Sequence, residues 1–126
     1  MSQYVDTGTK SFVAGAAIAR YLRVKLTSGK LAVAGLADKE IGTICDASFA
    51  DLDQRSVVLR TKQGTCLMVA AGAITAGAAV HTAASGKIDD AATATGFLIG
   101  TAIEAATADG DVIEVLRNSH GDTANA

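Results

Sequence analysis

Aromatic side chains are scarce in this chain, which has no tryptophan and in which aromatic residues make up 4% of the sequence. Single-stranded nucleic acid is bound on platforms of stacked aromatic side chains, and this composition offers none. The hydrophobic fraction is nevertheless 49%, mostly alanine, valine, leucine and isoleucine. We therefore expect a core of many small side chains, each gaining about 25 cal/mol per Å² of buried apolar surface. The few large anchors available to it are Tyr4, Phe12, Tyr21, Phe49 and Phe97.

A dominant charge of one sign is also missing. Eleven lysines and arginines are scattered among thirteen acidic residues, and the formal net charge is −2. Binding to nucleic acid through its phosphates requires a concentrated basic surface, because counterion release supplies most of the affinity. The sequence therefore predicts no nucleic-acid partner. The densest basic stretch, Arg20, Arg23 and Lys25, is interpreted as the solvated face of a strand.

Long hydrophobic runs are absent as well. The longest weakly polar run, residues 66–80, is shorter than the roughly 20 apolar residues of a membrane-spanning helix. The first ten residues are polar and lack the basic and apolar regions of a secretory signal. We therefore predict no membrane partner and synthesis in the cytoplasm, with Cys45 and Cys66 as free thiols that pack as small buried hydrophobic residues.

Residues that could carry catalysis or hold a metal ion are few and dispersed. His81 follows an apolar run and His120 lies near the C-terminus, so neither is placed to activate a nucleophile. Cys45 and Cys66 form no Cys-x-x-Cys pair. We predict a non-enzymatic protein with no catalytic residue, no cofactor and no metal site. Acidic pairs in turn-like stretches are interpreted as caps of backbone N–H groups; they are Asp51/Asp53, Asp89/Asp90 and Asp109/Asp111.

Alternation of apolar and polar residues predicts strands. In segment 22–27, leucine and valine alternate with arginine, lysine and threonine, which is the pattern of a half-buried strand. Ser28 and Gly29 supply a turn signal, and the chain becomes apolar again at Leu31, so a hairpin is predicted here. Further short aliphatic runs bounded by turn-forming residues lie at 41–45, 57–60, 66–70 and 112–116.

Short strands separated by frequent turns are typical of a barrel or a sandwich. We therefore predict a mainly β fold, a small β-barrel or β-sandwich, with at most one short helix. Alanine favours helices, and the candidate helix is residues 101–108. The predicted organisation is an extended N-terminal arm over residues 1–12, a single β-rich domain over residues 13–118 and a flexible C-terminal tail over residues 119–126.

The two halves of the chain echo each other, which favours a duplicated β-unit. Four short motifs recur in the same order, at an offset of about 55–62 residues. The motifs at 14–18, 28–31, 41–44 and 56–60 recur at 76–80, 85–88, 99–102 and 113–117 respectively.

Small-residue motifs follow one another in a distinctive order in the second half. Residues 70–80 read Ala-Ala-Gly-Ala-Ile-Thr-Ala-Gly-Ala-Ala-Val, residues 83–88 read Ala-Ala-Ser-Gly-Lys-Ile, residues 99–106 begin Ile-Gly-Thr-Ala, and residues 109–115 begin Asp-Gly-Asp-Val. In this order and spacing they resemble the motifs of the tailed-phage capsid decoration proteins, also called cement or head-stabilising proteins.

The likeness covers residues 70–117 well and residues 12–60 more loosely. The family often has an acidic residue where Ala78 stands and an aromatic residue near His81, so the resemblance does not extend to the contacts of these loops.

The resemblance implies a protein that binds the outer surface of a phage head, bridges neighbouring major capsid subunits and stabilises the shell. The implied partners are the major capsid protein and further copies of this chain in a homotrimer. The implied location is the outer capsid surface of the virion, after synthesis in the host cytoplasm. An extended N-terminal arm of this family often contacts the coat, and the residues in the matching position are Ser2, Gln3, Tyr4, Val5 and Phe12.

Two other classes of protein stay open. One is a different β-rich virion or interaction module, such as a head-fibre base, a tail component or a carrier-type barrel. A carrier presents a lysine at a hairpin tip, and Lys30 and Lys87 both follow Ser-Gly. The other is an enzyme that uses Cys45 or Cys66 as its nucleophile.

Overall fold

The computed structural model of this protein describes residues 8–62, 64–117 and 123–124. The mainly β fold predicted from the sequence is confirmed, and the one helix among these residues is a single 3₁₀ turn at Ala84–Gly86. The strands are β1 (Thr9–Val13), β2 (Arg23–Thr27), β3 (Lys30–Val33), β4 (Gly42–Ile44), β5 (Gln54–Leu59), β6 (Thr65–Val69), β7 (Ala79–Thr82), β8 (Ile88–Asp89), β9 (Phe97–Ala102), β10 (Val112–Arg117) and β11 (Thr123–Ala124).

The strands form two antiparallel sheets with the same topology. The first sheet has the order β1-β5-β4-β2-β3 and the second the order β6-β10-β9-β7-β8, with β11 added beside β9. Each strand of the first sheet therefore matches the strand five places later in the second. In each sheet the two edge strands meet at one parallel bridge, Ala14 with Leu31 and Ala70 with Ile88. The two sheets give the molecule a sandwich-like arrangement.

The pairing confirms the duplication and corrects two of the four echoes. Residues 28–31 do match 85–88, because Leu31 and Ile88 make the same bridge. Residues 14–18, however, match 70–74 and not 76–80, since the Ile18 bridge to Ser48 recurs as the Ile74 bridge to Ala106. Alanine and glycine recur throughout residues 70–80, so residues 14–18 match this stretch at more than one offset.

The fourth echo is wrong by one residue. Cys45 donates its backbone N–H to Ser56 O, and Ile103 donates in the same way to Glu114 O. Ser56 therefore matches Glu114, where the sequence comparison had placed Ile113. A slip of one residue matters in a strand, because it moves every side chain to the opposite face.

The predicted helix over residues 101–108 is also wrong. Thr101 and Ala102 end strand β9, and Ala106 exchanges two backbone hydrogen bonds with Ile74. Cross-strand pairing thus satisfies the backbone groups that a helix would have paired locally, and it overrides the helix preference of alanine.

Each half of the chain has a separate hydrophobic core, built from small aliphatic side chains and one methionine. Residues of each core come from the half that it fills, and Gly86 of the second half packs against Leu22 and Val33 of the first. The first core contains Ala14, Ile18, Val24, Leu31, Ile44 and Val57. The second contains Met68, Ala70, Ile74, Val80, Ile88, Ile99, Ala102, Ala106, Ile113 and Val115.

The described parts of the predicted arm and tail belong to the sheets. Strand β1 covers residues 9–13 and pairs along its whole length with β5, and Phe12 packs half-buried against the first core. Thr123 and Ala124 pair with Leu98 and Phe97. Backbone pairing therefore holds residues 9–12 and 123–124 in place, where the sequence had suggested an extended arm and a flexible tail.

A buried network of charged side chains joins the two halves. The Arg23 side chain is fully buried, which overturns its interpretation as part of a solvated face. Its guanidinium donates to Glu40 Oε1 at 3.2 Å within the first half. It also donates across to the second half, to Ala83 O at 2.7 Å and Lys87 O at 3.0 Å. Further carbonyl acceptors from the first half surround it.

Glu40 completes the connection from the first half. Its second carboxylate oxygen accepts a hydrogen bond from Arg117 Nη1 of strand β10, and the Glu40 side chain is fully buried. Burial acts to lower the pKa of Arg117, but the Glu40 carboxylate and the Cys66 sulfur outweigh it and raise that pKa above its usual value. One carboxylate thus holds one arginine from each half.

Two glycines at matching positions permit close packing of the strands. A Cβ atom at Gly42 would lie 2.0 Å from Val58 O, and one at Gly100 would lie 2.0 Å from Leu116 O. We expect Gly42→Ala and Gly100→Ala each to lower the free energy of unfolding by about 1–3 kcal/mol, because the backbone must shift to relieve the clash. Thermal unfolding followed by circular dichroism measures this. Gly72→Ala is the control, since its Cβ meets no atom within 4 Å, and an equal loss there would refute the packing explanation.

We expect Glu40→Gln to lower the free energy of unfolding by about 3–5 kcal/mol, because it leaves two buried guanidinium groups without their shared counter-charge. Urea-induced unfolding measures this loss. Asp109→Asn is the matched control, since it removes the solvent-exposed pair with Lys87, which is expected to contribute less than about 1 kcal/mol. Equal losses in the two variants would show that the buried network does not hold the halves together.

Candidate protein-binding surfaces

The outer side of the second sheet carries exposed hydrophobic side chains around Glu114. Leu67 lies opposite Glu114 on the neighbouring strand, and Ile103 binds its backbone from the other side. Val112 and Leu116 precede and follow Glu114 by two residues on the same strand, so they share its face. All four side chains are 40–46% exposed. We call Leu67, Ile103, Val112 and Leu116 the apolar face.

The first half has only part of the apolar face. The matched strand registers place Ser11 where the second half has Leu67, and Gln54 where it has Val112. Ser56 takes the position of Glu114, and Cys45 that of Ile103. Val58 takes the position of Leu116, since it pairs with Thr43 as Leu116 pairs with Thr101. Because the two sheets have the same topology and the first has serine and glutamine at the positions of Leu67 and Val112, the fold does not require apolar side chains at those two positions.

A second exposed apolar feature is the turn between β4 and β5, residues 46–53, which we call the acidic turn. Phe49 is 77% exposed and Leu52 is 64% exposed at its tip. Asp53 closes the turn by accepting hydrogen bonds from the backbone N–H groups of Phe49 and Ala50, which lower the pKa of its carboxyl. Asp111 closes the matching turn of the second half in the same way.

The acidic turn departs from its counterpart at the positions of its two apolar residues. Leu52 has a φ of +75°, in the left-handed region, and the matching residue is Gly110 with a φ of +95°. Phe49 matches Thr107, since each donates its backbone N–H to the closing aspartate. A left-handed backbone costs a residue with a side chain about 1–2 kcal/mol. Local stability would therefore favour glycine at position 52.

A cleft of about 260 Å³ lies between the two halves. Ile44 and Val58 line it from the first half and Leu67 from the second. Arg20 and Lys62 add positive charge to the lining. Leu67 also belongs to the apolar face, so the cleft and that face adjoin.

Both cysteines line this cleft, as free thiols that are half-buried and not fully buried as the sequence suggested. Burial raises the pKa of the Cys45 thiol, and Asp46 beside it acts in the same direction. A raised pKa disfavours the thiolate, which is the nucleophilic form. The Cys66 sulfur lies 3.8 Å from Val115 O. The surroundings of Cys45 therefore do not activate it.

Most residues that the sequence singled out do not come together. Ser2, Gln3, Tyr4, Val5 and His120 lie outside the described residues. Phe12 is half-buried against the first core.

His81 lies in β7 opposite Asp89 of β8. Lys30 and Lys87, the carrier candidates, are each paired with an aspartate: Lys30 with Asp51 of the acidic turn, and Lys87 with Asp109 of the matching turn between β9 and β10. Over residues 8–62, 64–117 and 123–124, no group of three potential metal ligands is found, and no helix is long and apolar enough to cross a membrane.

The sequence counted Phe49 among the core anchors, but the structure places it on the surface. The signal was present in the repeat. When the two halves are aligned by their strand pairing, Phe49 and Leu52 are equivalent to a threonine and a glycine. Leu67 and Val112 are equivalent to a serine and a glutamine. An apolar residue that only one copy of a duplicated unit carries on its surface points to a role beyond folding.

No protein-family model matches this chain, and no curated protein has a significant match to it.

We expect Leu52→Gly to raise the free energy of unfolding by up to about 1 kcal/mol, because it relieves a left-handed backbone at an exposed site. Gly110→Leu is the reciprocal variant. A Cβ at Gly110 meets no atom within 4 Å, so backbone strain alone should lower its stability by about 1–2 kcal/mol. Urea unfolding in dilute solution measures both. A stability loss in Leu52→Gly would mean that Leu52 packs usefully within its own chain.

Proposed function

We propose that this protein is a capsid decoration protein, which binds the outer surface of a phage head, bridges neighbouring major capsid subunits and stabilises the shell. The observation that carries the proposal is the apolar face, where Leu67 and Val112 are exposed at positions that are serine and glutamine in the duplicate half. The resemblance of residues 70–117 to capsid decoration proteins supplies the class of partner.

The apolar face has the character of a protein interface. Contiguous exposed apolar side chains mark sites of interaction, and interfaces of standard size bury about 800 Å² on each partner. Glu114 at the centre accepts a hydrogen bond from Thr65 Oγ1 at 2.5 Å. The Glu114 carboxylate therefore keeps a hydrogen-bond partner within this chain when another protein covers the surrounding apolar side chains. Such a surface is suited to bind the coat protein of a shell.

The N-terminal residues are the proposed second contact with the coat. Strand β1 begins at Thr9 on the edge of the first sheet, so residues 1–7 precede an edge strand. An extended segment can add a strand to a sheet edge of the coat protein, and Ser2, Gln3, Tyr4 and Val5 are the residues proposed to do so. Phe12 packs against the first core, where it would anchor β1 in the sheet.

Repetition makes moderate contacts sufficient. In a homotrimer each protomer can touch more than one coat subunit, and linked contacts raise the overall affinity without any new contact type. A structural protein of this kind acts by holding neighbouring coat subunits together, so the proposal requires no catalytic residue. Its proposed location is the outer surface of the virion.

Electron cryo-microscopy of the phage head with and without this protein tests the function. We expect added density on the outer surface at three-fold positions, with the apolar face toward the coat. If purified protein gives no density on such heads and is absent from particles, the decoration function fails. Another virion position or a carrier-type module then becomes the better hypothesis.

Binding of variants to heads that lack the protein tests the surface. We expect Val112→Asp with Leu116→Asp to weaken binding more than about tenfold, because two charges would have to be desolvated at the contact. Leu26→Asp is the control, because Leu26 in the first half is 45% exposed and Leu116 46%. Equal binding by face variant and control would remove the apolar face from the interface. Deletion of residues 1–7, which spares β1, measures the contribution of the N-terminal segment separately.

A further inference from the structure

The tip of the acidic turn has the features of a docking element. Phe49 and Leu52 are its exposed large apolar side chains, and Leu52 is held in a left-handed conformation that glycine adopts in the duplicate turn. Strained backbone persists at functional sites, where a gain elsewhere offsets its cost. Exposed aromatic residues that enter a pocket dominate the affinity of many interfaces.

Asp46 at the start of the turn pairs with Arg20 of the cleft lining, but Phe49 and Leu52 at the tip do not line the cleft of their own chain. Ser48 and Ile18 exchange two backbone hydrogen bonds, and the Ser48 hydroxyl donates to Ala16 O at 2.7 Å. Leu52 N–H donates to Ala14 O. These contacts fix both sides of the tip on the first half while Phe49 stays 77% exposed. Any pocket that takes Phe49 must therefore come from another molecule.

The cleft between the halves matches the tip in size and charge. Pockets for drug-sized ligands measure about 300–1,000 Å³, and at about 260 Å³ this cleft is nearer the volume of one or two side chains. Its lining combines apolar Ile44 and Val58 with cationic Arg20 and Lys62. The acidic turn presents apolar residues with Asp46 and Asp51 beside them. An acidic, apolar tip and a basic, apolar cleft are complementary.

The charged residues of the turn can exchange partners at small cost. Asp51 pairs with Lys30 at 3.1 Å, and Asp46 with Arg20 at 3.9 Å, and all four side chains are at least 41% exposed. Exposed pairs of this kind contribute at most about 1 kcal/mol. Complementary charge across an interface steers association and fixes register.

We propose that the acidic turn of one copy of this chain docks into the cleft of a second copy, with Phe49 and Leu52 as anchors and Lys62 facing Asp51. The turn and the cleft are different surfaces, so the contact is heterologous and closes into a ring when the rotation allows, as in a trimer. The inference rests on the proposed function, because it assigns an interface to the homotrimer proposed there. The mass of the isolated protein tests this interface separately from binding to a phage head.

The first experiment measures the mass of the full chain in solution by sedimentation over a range of concentrations. We expect a ring-sized assembly for the unaltered chain, and an increase of at least about tenfold in its dissociation constant for Phe49→Ala with Leu52→Gly. Leu52→Gly is expected to be the more stable fold, so lost assembly would not reflect unfolding. Leu116→Asp on the apolar face should assemble normally. If the unaltered chain is a monomer throughout, or only Leu116→Asp disrupts assembly, the proposal is wrong.

Charge reversal tests the orientation. Lys62→Glu should weaken assembly through repulsion of the acidic turn, and Asp51→Lys should do the same from the other side. The double variant restores the attraction, so it should assemble more tightly than either single variant. Additive weakening in the double variant would contradict a direct Lys62–Asp51 contact between copies.

A cross-link gives the decisive test, because the cleft already contains two thiols. Phe49→Cys would place a third thiol beside Cys45 and Cys66 of the next copy, and oxidised glutathione would convert a pair of these thiols into a disulfide. We expect covalent oligomers on a non-reducing gel, and their loss when Cys45→Ser and Cys66→Ser are added. Thr107→Cys in the duplicate turn is the matched control and should not cross-link. Equal cross-linking by the control would overturn the assignment.

Discussion

The buried contact of Arg23 and Arg117 with Glu40 is the interaction on which the rest of the structure depends. Each half has its own apolar core, so hydrophobic burial within a half does not fix its position against the other. A desolvated carboxylate shared by one arginine from each half constrains the relative position of the halves, because either arginine without it would be an unpaired buried charge. The cleft draws its lining from both halves, so its shape depends on how the halves are positioned.

Local pattern predicted the strands and the hairpin well, since short alternating runs and a Ser-Gly turn determine them over a few residues. It failed where distant residues decide. The alternation around Arg23 assigned that side chain to solvent, yet carbonyl groups from residues some 60 positions away receive it. The same reasoning counted Phe49 as a core anchor, because hydrophobicity alone does not distinguish an anchor of the core from an anchor for a partner. The sequence showed that the chain contains a repeat, but not the alignment of its two halves, and that alignment is needed to see which surface residues differ between them.

The duplication separates what the fold needs from what it tolerates. Closing aspartates, close-packed glycines and edge bridges occur in both halves, so they belong to the architecture. Leu67 and Val112 of the apolar face have polar counterparts in the other half, and the strained Leu52 has a glycine. These differences mark the surfaces on which the proposals of coat binding and self-association are based.

The bridges between the first and last strands of each sheet bear on how copies of this protein can meet. An open sheet edge is a template that accepts further strands, and growth on it has no natural end. Here the edge strands of each sheet touch at Ala14–Leu31 and at Ala70–Ile88, which leaves less of the backbone open to a neighbour. Contacts between copies are then made by side chains, and each side-chain surface can bind one neighbour. Neighbours that fit in this way fill a fixed number of places, and the assembly is complete when those places are full.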